Sequence, residues 1–238
     1  MKYYYLTGFV VGRMSLGEAD RIITLFTKEI GKTKVVAKGI RKSNARLSGY
    51  LEPFNEINIR LTKAKSLDII IGAQAKAIFD VSKQKENGLV TSYYMNELIA
   101  RLLAEDQANI KVYNLYKECL QGVIDNINPR LIRHYFALRF LQALGLEPDL
   151  TSANSSSNNY FVYENTSIVN TRPNKHYGIL SITTIKLWRL ILNNNLDSIK
   201  NIQNIMPALQ EGERLVNNYY EYHFDLLPKS LKVFQDSA

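Results

Sequence analysis

Residues 29–46 read EIGKTKVVAKGIRKSNAR. Gly31-Lys32-Thr33 is the tripeptide that ends a phosphate-binding P-loop, so the stretch opens either a nucleotide site or a strand hairpin. A P-loop needs a second glycine five residues upstream, where no Cβ intrudes on the phosphates, and a helix opening downstream. Position 26 is Phe26, and the downstream Lys34-Val35-Val36-Ala37-Lys38 is alternating and β-branched. Both requirements fail. The stretch reads instead as a hairpin whose turn is Glu29-Ile30-Gly31-Lys32, with Gly31 at the position that favours φ > 0.

The period of two extends over the whole first third of the chain. Strands are expected at 3–14, 20–27, 33–41, 51–62 and 67–76, with turns at Gly17, Gly31, Ser43-Asn44 and 62–66. Such a run of short strands has to hide its sheet edges, which points to a small barrel. In the third strand Lys32, Lys34 and Lys38 fall on one face, with Val35, Ala37 and Gly39 on the other. Ile57, Ile59 and Leu61, then Leu67, Ile69, Ile71 and Ala73, form the expected inward set.

From about residue 88 the period becomes helical. Met95, Leu98, Ile99, Leu102 and Leu103 make one apolar stripe, and Tyr113, Tyr116, Leu120, Val123 and Ile127 another. A third helix should start with Asn128 as N-cap and Pro129 at its first position, and stop at Gly145. Residues 149–180 interrupt the pattern, with a short strand at Tyr160-Phe161-Val162-Tyr163. Helices resume at 181–194 and 207–225. The expected division is a β domain over 1–80 and a helical domain over 81–238 with an irregular insertion at 149–180.

The net charge of +8 is unevenly placed. Residues 1–80 hold 14 Lys/Arg against 7 Asp/Glu, and residues 28–46 hold seven cations against the single acid Glu29. Cations this close repel one another unless a polyanion neutralises them, and the stretch runs into Tyr50, a ring on which a base could stack. Lys32, Lys34, Lys38, Arg41, Lys42, Arg46 and Tyr50 are therefore candidate nucleic-acid contacts. The plainer alternative is a solvated strand face that discourages aggregation. Composition alone does not separate DNA from RNA.

Enzyme chemistry finds little support. His134, His176 and His223 belong to no metal-binding or hydrolase motif, no serine sits in a nucleophile elbow, and Cys119 lies in an apolar helical stretch. One cysteine excludes a disulfide framework and a multi-cysteine zinc site. No apolar run reaches the ~18 residues a membrane helix needs, and no signal peptide is evident, which fits a cytoplasmic protein.

The blocks Gly12-Arg13, Gly17-Glu18-Ala19-Asp20-Arg21, Leu25-Phe26-Thr27, Val36-Ala37-Lys38-Gly39-Ile40-Arg41-Lys42 and Leu51-Glu52-Pro53-Phe54, in that order, resemble the N-terminal domain of the RecO family of bacterial recombination mediators. The resemblance continues through Tyr94-Met95-Asn96-Glu97-Leu98, the run Phe136 to Leu141, Leu144 to Leu150 and Leu227 to Lys232. It implies an OB-fold barrel followed by a helical domain, with no catalysis and no cofactor. It also implies binding of single- and double-stranded DNA in the bacterial nucleoid, annealing of complementary strands, and action with RecR and single-stranded DNA-binding protein so that RecA loads. Many members carry a four-cysteine zinc module where this chain has 154–172, and all of those cysteines are missing here. The insertion should then be held by Tyr160, Phe161, Tyr163 and Ile168, or be mobile. A site for the acidic tail of single-stranded DNA-binding protein is expected on the third helix at Arg130, Arg133 and Arg139. The rival readings are an RNA-binding barrel and a non-catalytic interaction scaffold.

Overall fold

The computed structural model describes residues 3–42, 47–84, 86–154, 158–174, 176–225 and 228–231. The chain divides into two compact units, 1–124 and 125–238. The strand period does end near residue 80, but the next two helices pack with the strands. The expected domain boundary and the division by packing therefore fall at different places.

In the first unit, β1 (Tyr3–Leu16), β2 (Asp20–Thr27), β3 (Gly31–Ala37), β4 (Glu56–Thr62) and β5 (Ile69–Ala77) form a closed barrel in the order β1-β2-β3-β5-β4. β1 pairs antiparallel with both β2 and β4, and Val36 meets Ile69 in parallel register to complete the closure. This is the OB-fold arrangement. The β2–β3 connection is the expected hairpin. Gly31 has φ +79°, and the Thr27 hydroxyl donates to its carbonyl at 2.9 Å.

Alternation fills the interior. Ile23, Leu25, Ile57, Ile59 and Leu61 are wholly buried, and Val35 and Ala37 face the same core. Two expectations need correction. The register between β4 and β5 slips between Arg60 and Leu61, so one extra residue on β5 turns Ile70 inward and leaves Ile71 41% exposed. A bulge of this kind shifts the side-chain phase of everything beyond it, which alternation alone does not register. The third and fourth strands are also shorter than expected. Residues 38–42 turn at Gly39, φ +64°, and residues 51–54 turn at Phe54, φ +74°.

Helices α1 (Glu86–Leu102) and α2 (Ile110–Ile124) cover the barrel. Phe9 of β1 packs against Tyr113 and Tyr116 of α2 at ring separations of 5.0 and 4.9 Å, and Phe26 adds a third contact to Tyr113. Cys119 is fully buried on α2, as a small core residue.

The second unit holds α3 (Pro129–Ala143), strands β6 (Asn159–Val162), β7 (Ile168–Val169) and β8 (Tyr177–Leu180), then α4 (Ile182–Asn193), α5 (Leu196–Ile199) and α6 (Met206–Phe224). Asn128 caps α3 by accepting from the N–H groups of Arg130 and Leu131, Pro129 occupies the first turn, and Gly145 ends the segment at φ +74°. The insertion is a three-stranded sheet in the order β7-β6-β8. Phe161 anchors it, with its ring 5.4 Å from Trp188 of α4 and 5.8 Å from Tyr219 of α6. Tyr160, Tyr163 and Ile168 are buried beside it.

Candidate nucleic-acid interface

At one end of the barrel the turn after β3 presents Lys38, Arg41 and Lys42, all exposed. The turn is fastened to the β1–β2 connection. Gly39 N–H donates to the Asp20 carboxylate at 2.7 Å, Arg41 N–H to the Ala19 carbonyl at 3.0 Å, and Arg41 Nη1 to the Gly17 carbonyl at 2.9 Å. Two chain segments thus hold the cations on a rigid base, and among the described residues no carboxylate lies within 4 Å of any of the three. Exposed cations that are not ion-paired among the described residues are suited to phosphate. Tyr50 is 39% exposed in the following turn, which Asn55 steadies by donating to the carbonyls of Gly49 and Tyr50. Phe54 is buried against Tyr93 and belongs to the core. Arg46 lies outside the described residues.

Lys32 and Lys34 do not join that surface on equal terms. Lys32 is only 7% exposed, and its ammonium donates at 2.6 Å to the carbonyl of Ala100 in the last turn of α1. It caps a helix C-terminus, where a cation is favoured. Burial is the main reason its pKa lies below the ordinary lysine value, with the charge of Lys34 acting the same way and Glu105 opposing both. Strand alternation puts Lys32 on the face with Lys34, but that face is covered by α1 at this point. Lys34 is exposed and ion-paired with Glu105 at 2.6 Å. The continuous lysine stripe read from the sequence is therefore interrupted.

In the second unit the three arginines of α3 are all engaged. Arg130 Nε and Arg133 Nη2 grip opposite oxygens of Glu213 on α6 at 3.0 and 2.9 Å, and Arg133 is only 4% exposed. Arg139 donates to the Leu192 carbonyl at 2.6 Å and to Gln142 at 2.7 Å. Between them His134 accepts a 2.8 Å hydrogen bond from Trp188 Nε1. Burial, reinforced by the charge of Arg133, pushes its pKa down to about 3, which leaves it a neutral core residue. Helical spacing put Arg130 and Arg133 on one face, and it carries no sign of the carboxylate that α6 brings to them.

The insertion does not suit zinc. It contains no cysteine, and among the described residues no group of three His, Cys, Asp or Glu side chains is placed to hold a metal ion. Asn159, 3% exposed, ties the segment instead. It accepts from Asn154 N–H at 2.9 Å and from Asn170 Nδ2 at 3.2 Å, and donates to the Asn154 carbonyl at 2.8 Å. No helix among the described residues is long and apolar enough to cross a membrane.

One group of exposed side chains leaves little trace in the sequence. Tyr3 and Tyr5 of β1 stand 55% and 63% exposed, with Arg60 of β4 beside them. The only sequence signal was their spacing of two at the head of a strand, and their partner lies on another strand.

An OB-fold barrel with a rigid cationic turn and exposed tyrosines, joined to a helical unit, has the features of the nucleic-acid-binding class. Residues 1–79 match the family described as recombination protein O N terminal, and residues 89–232 match recombination protein O C terminal. The chain belongs to this recombination protein O family, which serves DNA repair and recombination. Its similarity to curated proteins runs nearly end to end. A DNA repair protein RecO of Dehalococcoides mccartyi is 27% identical over 231 residues, covering 93% of this chain and 91% of that protein. One from Alkaliphilus metalliredigens is 27% identical with 92% of each covered, and one from Listeria monocytogenes is 26% identical over 239 residues, with 96% and 92% covered.

Proposed function

We propose that this protein is a non-catalytic mediator that binds single- and double-stranded DNA, anneals complementary strands and, with RecR and single-stranded DNA-binding protein, promotes loading of RecA. The observation that carries the DNA-binding part is the fastened turn, where Lys38, Arg41 and Lys42 are exposed and form no ion pair among the described residues. Cations held this way neutralise strand phosphates and so lower the repulsion that opposes annealing. Family membership supports the recombination role. The buried, neutral His134 and the fully buried Cys119 support the absence of catalysis, since neither reaches a substrate.

Annealing of complementary oligonucleotides, followed by loss of donor fluorescence, tests the reading. Wild type should accelerate it, and replacing Lys38, Arg41 and Lys42 by glutamine should abolish most of the acceleration. Acceleration that survives in a folded triple variant would remove the turn from the mechanism. For the acidic tail of single-stranded DNA-binding protein the proposed contact on α3 is Arg130, 31% exposed at its side chain, while Arg133 and Arg139 position the helix. Arg130→Ala should weaken a labelled tail peptide roughly five- to tenfold and leave naked DNA binding intact. Equal loss of both would eliminate a separate tail site.

A further inference from the structure

Tyr3, Tyr5 and Arg60 share the outer face of β1 and β4. In register, Tyr5 lies opposite Arg60 and Arg60 opposite Gly72 of β5, while in the next row Thr7, Asn58 and Gln74 line up. The two tyrosine rings stand edge to face at 6.0 Å, and the Arg60 guanidinium lies 5.7 Å from the centre of the Tyr3 ring. The arginine stem runs across Gly72, where a Cβ would stand in ordinary contact with Arg60 Cβ and Nε at 3.8 Å. The result is a hollow of about 350 Å³ bordered by Tyr5, Asn58, Arg60 and Gln74, a size typical of small-ligand sites.

Several features point to the occupant. Exposed aromatic rings on a sheet face lose nothing by accepting a planar partner, and Arg60 has no described carboxylate within 4 Å. The barrel is closed, so β1, β4 and β5 offer no free edge to which a peptide could add as a strand. Exposed Lys65 lies in the β4–β5 connection, where Lys63 pairs with Asp68 and sits 4.8 Å from the Tyr4 ring centre. Rings for bases, a fork for phosphate and amides for base edges together match an unpaired nucleic-acid strand. The face is also distinct from the basic turn, which is fastened to the opposite end of β1.

We propose that the outer face of β1 and β4 is a second nucleic-acid site, a stacking platform in which Tyr5 and Tyr3 hold an unpaired base and Arg60 holds its phosphate. This rests on the reading of the barrel as DNA-binding. The basic turn attracts any phosphate backbone, and the platform adds a preference for strands whose bases are free. Duplex DNA, with its bases already stacked, gains only the first interaction.

The test compares a labelled single strand with an abasic strand of the same length, by anisotropy. Wild type should bind the base-carrying strand roughly tenfold more tightly, since base–aromatic stacking is sequence-tolerant and strong on this scale. Changing Tyr3 and Tyr5 together to serine should bring the two affinities together, with the melting temperature unchanged because both rings are exposed. Tyr5→Phe, which keeps the ring, should retain the preference, and Arg60→Gln should weaken both strands. Equal binding of the two strands by wild type would overturn the platform while leaving the basic turn as the DNA site. Binding of neither strand would overturn the DNA-binding reading itself. A preference that persists in the double serine variant would also overturn the proposal and leave this face to a protein partner.

Discussion

Glu56 Oε2 accepts a 2.7 Å ion-pair hydrogen bond from Lys117 Nζ, although the Glu56 side chain is only 1% exposed. The contact fixes α2 to β4, and Lys76 and the Tyr113 hydroxyl complete the shell at 3.1 and 2.9 Å. Burial pushes the carboxyl upward. The hydrogen bonds from Lys117, Lys76 and Tyr113, with the charge of Lys117, more than reverse that and hold it below the ordinary 4.5. A depressed carboxylate stabilises the fold above its unfolded value and loses that contribution as pH falls through the folded one. Glu56→Gln should therefore cost about 2 kcal/mol near neutral pH, and the difference from wild type should shrink as the pH falls below the ordinary 4.5. Urea denaturation across that range checks it, and a constant difference would show that the charge is irrelevant.

Gly31 is required twice over. Its φ is +79°, and a Cβ on it would lie 1.9 Å from the Gln107 carbonyl oxygen. Every atom it would meet is backbone of Gln107 and Ala108, with no flexible side-chain end to yield, so Gly31→Ala should destabilise by roughly 3 kcal/mol or more. Gly17, φ +61° with nothing within 4 Å of its Cβ position, isolates the conformational part. Gly17→Ala should cost roughly 1 kcal/mol. Equal losses in thermal denaturation would mean that close approach at Gly31 contributes nothing.

The insertion should be independent of metal. Its sheet is held by the ring of Phe161 and the amide of Asn159, so dialysis against chelator should leave the melting temperature unchanged. Asn159→Ala, which removes the paired hydrogen bonds to the Asn154 backbone, should cost roughly 1–2 kcal/mol. Stoichiometric zinc by elemental analysis after dialysis would refute this account.

Local chemistry was legible in the sequence where neighbouring residues decide the outcome. The hairpin at Gly31, the Asn128 cap and the Val35/Ala37 face each follow from a few adjacent side chains. Destinations set by distant partners were not. Lys32 reaches a carbonyl 68 residues away, and Arg133 is buried by a glutamate 80 residues away. Alternation and helical spacing assign faces, and neither reveals what later covers a face. The Ile71 bulge is a similar case, since it depends on the pairing between two strands. The Tyr3, Tyr5 and Arg60 group likewise exists only once β1 and β4 are side by side.

The central claim is that Lys38, Arg41 and Lys42 carry phosphate while Lys32 serves the fold. Its most direct test is the salt dependence of binding to a single-stranded oligonucleotide, by anisotropy, for wild type, the triple glutamine variant and Lys32→Gln. Each phosphate contact on a single strand contributes about 0.7 to the log–log slope, so the triple variant should be shallower by about 2. Lys32→Gln should lower the melting temperature and keep the wild-type slope. An unchanged slope in a folded triple variant, or a slope reduced by Lys32→Gln alone, would contradict the account.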